Sequence, residues 1–138
     1  MLKKTITYTD YNGVERREDF WFNLSKAELM EMELGVTGGL AEYMRRIVSA
    51  QDQPSLIKIF KDIILKSYGE KSADGKRFVK IDEHGVPLSL GFSQTEAYSI
   101  LFMELSTDDE AAAAFINGIV PADVSKEIEN IDPATLLP

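Results

Sequence analysis

The stretch Lys3-Lys4-Thr5-Ile6-Thr7-Tyr8-Thr9-Asp10-Tyr11-Asn12-Gly13-Val14-Glu15-Arg16-Arg17-Glu18-Asp19-Phe20-Trp21-Phe22 decides the fold class. Its first arm alternates, with Ile6 and Tyr8 on one face and Thr5, Thr7 and Thr9 on the other. Asp10-Tyr11-Asn12-Gly13 supplies a turn, because Asn-Gly tolerates positive φ best. The alternation then resumes, with Val14, Arg16, Glu18, Phe20 and Phe22 on one face and Glu15, Arg17, Asp19 and Trp21 on the other. This is a β-hairpin over residues 3–23 whose middle is charged on both faces, so part of it projects into water. A two-stranded hairpin is marginal alone and has to pack on something or pair with a further strand.

The next segments are helical. Ser25-Lys26-Ala27-Glu28 has the form of a capping box with Leu24 and Leu29 as its staple, predicting a helix from Lys26 to Leu34 closed by Gly35. Leu40, Tyr43, Met44, Ile47 and Val48 predict a second helix after Gly38-Gly39. Pro54 suits the first turn of a third, along which Leu56, Ile57, Phe60, Ile63, Ile64 and Tyr68 recur at helical steps to a stop at Gly69. Residues 70–92 hold Gly75, Gly85, Pro87 and Gly91 and read as a long connection, with a short strand at Arg77 to Ile81. Ser93-Gln94-Thr95-Glu96 and Thr107-Asp108-Asp109-Glu110 are read as two further capping boxes, opening helices over 94–105 and from Ala111 to a stop at Gly118. The expected architecture is therefore α+β, mainly α: an N-terminal β-hairpin packed on a bundle of four to five helices. Residues 1–121 form one globular domain in this reading, with three helices in 24–69 and two in 93–118, and residues 122–138 form a flexible acidic tail.

Composition narrows the function. The 138 residues include 15 basic and 23 acidic side chains, no cysteine and one histidine, for a net charge of −8. The charge is uneven: residues 1–80 hold 14 basic and 12 acidic residues, whereas residues 81–138 hold only Lys126 against 11 acidic ones, a net of −10. That half repels nucleic acid, whose affinity rests on neutralised phosphates. No cysteine means no disulfide, thiolate metal site or thiol nucleophile. The N-terminus lacks the apolar run of a signal peptide and no stretch is long enough to span a membrane, so a soluble cytoplasmic protein is expected.

Four chemistries fail on their spacing. Asp74, Asp82, Glu83 and His84 share a segment but match no metal-binding loop, so a solvated loop is expected and His84 reads as a turn residue. Gly38-Gly39 precedes a helix without any phosphate-binding motif. His84 is the only imidazole able to activate a serine, and no GxSxG occurs. The helix pair around Gly38 offers only Arg45, Arg46 and Gln51 to a DNA groove. No enzyme activity, metal or cofactor is expected. Protein binding remains. The segment from Gln94 to Leu105 carries a stripe of Tyr98, Leu101, Phe102 and Leu105 and a second of Ala97, Ile100 and Met103. A helix so apolar is central in its bundle or covered by a partner, with central burial favoured. Trp21 points away from Phe20 and Phe22. Trp21, Tyr98, Phe102 and Met103 are the candidate protein-binding residues.

The chain also resembles the small tail assembly chaperones of long-tailed bacteriophages and prophages of Gram-positive hosts. The resemblance is carried by Ile6-Thr7-Tyr8-Thr9-Asp10-Tyr11-Asn12-Gly13, Phe22-Asn23-Leu24-Ser25-Lys26-Ala27-Glu28 and Ile63-Ile64-Leu65-Lys66-Ser67-Tyr68-Gly69. It is strongest over Phe92 to Leu105 and Ala113 to Pro121, and spans residues 4–121. It implies a non-virion protein of the host cytoplasm that holds the tape measure protein and brings tail tube subunits to it without ATP, nucleic acid or a membrane. Self-association stays open. The alternatives are a small virion or adaptor protein and an acidic inhibitor of a host enzyme.

Overall fold

The structure, a computed structural model, describes residues 1–32 and 53–121. The hairpin is present: β1 (Leu2–Thr9) pairs antiparallel with β2 (Glu15–Phe22), in a register running from Leu2 opposite Phe22 to Thr9 opposite Glu15. Its turn is built by Asp10, whose Oδ1 accepts from the N–H groups of Asn12 and Val14, both at 2.9 Å. Gly13 supplies the φ of +79° that closes it, a conformation costly for residues with a Cβ. Glu15 through Asp19 are all exposed, so the charged middle projects into water as expected.

The hairpin is not the whole sheet. After α1 (Lys26–Glu31) and α2 (Gln53–Ser67), the chain enters β3 (Tyr68–Lys71) and β4 (Phe78–Val79). These complete a four-stranded antiparallel sheet of order β1-β2-β3-β4. Much of the expected long connection of 70–92 is therefore structured. Two tight turns with Gly75 and Gly85 at positive φ, a bridge from Ile81 to Pro87 and α3 (Leu88–Ser93) fill it. β4 falls within the short strand expected at Arg77 to Ile81, whereas the four residues of β3, too short to show an alternation, take their order from pairing with β2. The molecule is mixed α+β, with five helices among the described residues, the last two being α4 (Glu96–Thr107) and α5 (Asp109–Ile119).

Helix ends follow competition for caps. Ser25 caps α1 as expected, with both halves of the capping box formed. That helix ends at Glu31 with Met32 as its C-cap, short of the expected Leu34. The second expected helix, Gly35, Gly38-Gly39 and residues 122–138 lie outside the described residues. Ser93 does not cap α4: it closes α3, its hydroxyl donating to the Leu90 carbonyl, and Thr95 caps instead by accepting from the Tyr98 N–H. Thr107 likewise belongs to α4, donating to the Met103 carbonyl, and the Asp108 carboxylate caps α5 by accepting from Glu110 and Ala111.

Two glycines expected as helix stops have other work. Gly69 lies in β3, buried; a Cβ there would meet Phe78 Cε2 at 2.5 Å and the Val79 carbonyl at 2.7 Å. Gly118 lies inside α5, where a Cβ would come within 2.9 Å of Leu2 Cδ1. Both permit a close approach of elements, one of adjacent strands and one of helix to sheet.

One aromatic assembly joins the layers. Phe92 of α3 stacks on Tyr68 of β3 with ring centroids 4.3 Å apart and planes within 5°. It also meets Phe22 edge-on at 5.8 Å, Phe20 at 5.1 Å and Tyr98 at 5.8 Å. Phe22 reaches Phe115 of α5 at 5.2 Å. Leu24, Leu29, Ile63, Ile64, Leu101 and Ile116 fill the buried core around these rings.

A polar clasp ties the connections together. Lys80 Nζ donates to the carbonyls of Asn23 at 2.8 Å and Lys66 at 2.7 Å, and to Glu28 Oε2. One ammonium thus uses its three protons to tie the end of β2, the start of α1 and the end of α2. Burial pulls Lys80 below the ordinary lysine range. Burial also raises the Glu28 carboxyl, but the hydrogen bonds from Lys80 and Ser25 outweigh it and leave the pKa lowered.

These contacts set two expectations. Gly69→Ala forces Phe78 and Val79 apart and costs about 1–3 kcal/mol, read from the urea midpoint. Lys80→Met leaves two backbone carbonyls and a carboxylate without their donor and costs about 1–3 kcal/mol. Because the folded pKa of Glu28 is depressed, its contribution is complete above the ordinary glutamate value and is lost as pH falls through the lower folded one. A urea series from neutral to acid pH should show that loss in the native chain and a flatter profile in Glu28→Gln.

Candidate protein-binding surface

The surface starts from α4, whose residues divide by angle. Ala97, Leu101 and Leu105 are fully buried on the side toward the core. Tyr98 and Phe102 flank that side and are half-buried, their rings 6.0 Å apart. Ile100 and Met103 face out, 38% and 54% exposed. The helix is therefore not central to the bundle as expected. The second apolar stripe read from sequence splits, with Ala97 inside and Ile100 and Met103 outside.

Tyr98 and Phe102 form one wall of an open groove of about 680 Å³. Ile57 and Lys61 of α2 form the other wall, and Tyr11 reaches in from the hairpin turn. Tyr11 is 80% exposed and Ile57 48% exposed, so the groove presents apolar area to its surroundings from three separate elements. Burial raises the Tyr98 phenol above its ordinary pKa, with the Asp62 carboxylate adding to it, so the hydroxyl stays protonated at neutral pH. It can donate a hydrogen bond into the groove, whose lining on this side also includes Thr95, Glu96 and Ser99.

Of the four sequence candidates, the fold brings Tyr98 and Phe102 together in the groove and puts Met103 on the outer side of the same helix. Trp21 stands apart. It lies beneath the Lys3 ammonium, 5.9 Å from the ring centroid, and borders a separate notch with Tyr68, Glu70 and Lys71. Sequence pattern places Tyr11 in a turn and Ile57 in the core, and marks neither for binding. The signal for Tyr11 is a large aromatic in a turn otherwise made of Asp, Asn and Gly; Ile57 offers none, because its position continues the apolar stripe of α2.

The residues weighed for other chemistry have local tasks. Asp74 accepts from the Ser72 hydroxyl at 2.7 Å and the Lys76 N–H at 3.0 Å, and the hydroxyl bond heads the causes that lower its pKa. Asp82 holds its turn by accepting from the His84 and Val86 N–H groups. His84 is exposed, 4.0 Å from Glu83. Among the described residues no three His, Asp or Glu side chains cluster as metal ligands, and no helix is long and apolar enough to cross a membrane. Arg45, Arg46 and Gln51 lie outside the described residues.

The model of a protein family described as phage tail assembly chaperone matches residues 1–134, extending past the 4–121 that carry the resemblance in sequence. No curated protein and no solved structure matches the chain.

The geometry separates residues that hold the fold from those free to bind. Phe92→Ala empties the aromatic assembly and should cost about 3–5 kcal/mol of stability. Met103→Ser and Tyr11→Ser should each change it by less than about 0.5 kcal/mol, as surface substitutions do. Thermal or urea unfolding of the three variants checks both.

Proposed function

The chain belongs to the phage tail assembly chaperones, and from that membership we propose that it binds the tape measure protein and promotes assembly of the tail tube around it. The family match over residues 1–134 is the observation that carries this reading. The surface offered for the task is the groove between Tyr11, Ile57, Tyr98 and Phe102, with Met103 beside it. A long helical client exposes apolar stripes before it is assembled, and an open groove in which Tyr11, Ile57, Tyr98 and Phe102 stand beside polar Lys61, Gln94, Glu96 and Ser99 covers such a stripe and meets its polar border by the helix-in-groove mode.

The action proposed is shielding rather than chemistry. Adaptable apolar contacts hold a client without a cofactor, and their release needs only a competing surface, here the tail tube subunit. Methionine at the groove's border suits a surface that must fit varied stripes, since its side chain is unbranched and flexible. The site of action proposed is the cytoplasm of the infected host, with the protein left out of the finished particle. The strong negative charge of residues 81–138 keeps a protein that exposes such a surface soluble.

Co-expression with the tape measure protein tests the reading. The native chain should co-purify with its client and keep it in the soluble fraction. Tyr11→Ser together with Met103→Lys should remove most of that soluble client while the chaperone itself unfolds at an unchanged temperature. A client that stays insoluble with the native chain, or equally soluble with the double variant, overturns the proposal or its assignment to this groove, respectively.

A further inference from the structure

The sheet has one long open edge. Among the described residues β1 has a neighbour on one side only, since the strand order begins with it. The ladder also shows which of its groups face outward. The Asp10 N–H donates to the Val14 carbonyl in the same register that pairs Leu2 with Phe22. Antiparallel pairs alternate between bonded and non-bonded, so Tyr8, Ile6, Lys4 and Leu2 direct their backbone groups at β2. The N–H donated by Asn23 to Ser67 confirms the phase from the other side of β2. Lys3, Thr5 and Thr7 consequently aim their N–H and C=O groups away from the sheet, and their side chains are exposed. Natural edges are blunted by bulges, prolines, short length or charged side chains, and the charges of β1, Lys3 and Lys4, sit together at one end of it. This strand is eight residues long and continuous in register, without proline or bulge.

We infer that the chain self-associates through this edge, two copies pairing antiparallel at β1 to make one continuous eight-stranded sheet. Charge selects the second copy and its orientation. A parallel arrangement would set Lys3 against Lys3 and Lys4 against Lys4, which repel. An antiparallel arrangement with its two-fold axis at Ile6 sets Thr5 opposite Thr7 of the second copy, both with outward-facing backbone groups, as the ladder requires. It sets Lys3 opposite Thr9 of the second copy, whose own neighbour in β2 is Glu15. It sets Lys4 opposite Tyr8, whose hydroxyl donates to Glu18. Lys3 thus comes beside the strand pair that carries Glu15 of the second copy, while Lys4 keeps its own bond to Glu104 and Arg16 its bond to Asp10, and the contact is self-complementary, as a two-fold interface must be.

The helix layer agrees with that placement. Lys4 Nζ bonds Glu104 Oε1 at 3.0 Å, so α4 runs beneath the β1 edge. Ile100 lies one turn before Glu104 and Met103 immediately before it, and both are exposed. Pairing at β1 brings the two copies of α4 to the same side of the joined sheet. The inference does not depend on the client, and its test contains none.

Sedimentation of the full chain over a dilution series, with amide hydrogen exchange at both ends of the series, decides it. The expected result is a monomer–dimer equilibrium in which the Thr5 and Thr7 amides become protected as the dimer forms, while those of Ile6 and Tyr8 are protected throughout. Thr5→Pro removes an outward N–H that the β1–β2 ladder does not use, and should weaken association at least about tenfold. A chain that stays monomeric at every concentration overturns the inference. So does a dimer whose Thr5 and Thr7 amides exchange freely, or one that a folded Thr5→Pro variant forms equally well. If that variant does not fold, amide exchange in the native chain is by itself decisive.

Discussion

The stack of Phe92 on Tyr68 is the contact on which the rest of the structure depends. Tyr68 is the residue at which α2 ends and the third strand begins, and Phe92 sits in a helix of only six residues that could not persist alone. Their rings face each other while Phe20 and Phe22 close from β2 and Tyr98 from α4, so one side chain touches both layers of the molecule. Each aromatic pair adds about 0.5–1.5 kcal/mol beyond the area it buries. Four partners on one ring therefore make a contribution comparable with much of a small domain's net stability. The same stack reaches the surface: Tyr98 stands between Phe92 and Phe102, and its position shapes the groove.

The Lys80 clasp is the polar counterpart of that stack. A sheet joined to helices through short connections leaves carbonyls at helix and strand ends outside any ladder. Lys80 answers two of them and a carboxylate at once. Backbone contacts run beside it, Asn23 donating to Ser67 at 2.8 Å and Leu24 to Ile119 at 2.7 Å. The two residues that follow β2 are in this way bound to the ends of two helices. The hairpin is fastened at its base by rings and clasp and at mid-strand by the buried Ile6, while Tyr11 and the charged residues Glu15 to Asp19 are exposed.

This division fits a binding protein better than a rigid scaffold. Rigid contacts concentrate at the base of the hairpin and the interior of α4, and exposed apolar residues lie at the periphery, on the turn, on α2 and on the outer side of α4. The carboxylates with structural tasks, such as Asp10, Asp74, Asp82 and Asp108, act on their own turns and caps, and among the described residues no ligand cage forms.

What the sequence determined by itself is what local physics decides. The Asn-Gly turn and the alternation around it announce the hairpin, while its register, with Asp10 opposite Val14 around Tyr11, Asn12 and Gly13, comes from the structure. The Ser25 capping box and the buried residues Phe60, Ile63 and Ile64 define helices in the same way. The family resemblance, too, rests on pattern alone. The tertiary structure decided everything that needed a distant partner. The short strand β3 takes its order from pairing with β2, and Gly69 is required because Phe78 crosses it, not because a helix ends there. Competition between neighbouring oxygens gave the caps to Thr95 and Asp108 instead of Ser93 and Thr107. The groove arises because Tyr11, Ile57 and Tyr98, far apart in the chain, meet at one place. A sequence records which side chains are apolar, but the side of each element left uncovered depends on how the elements pack.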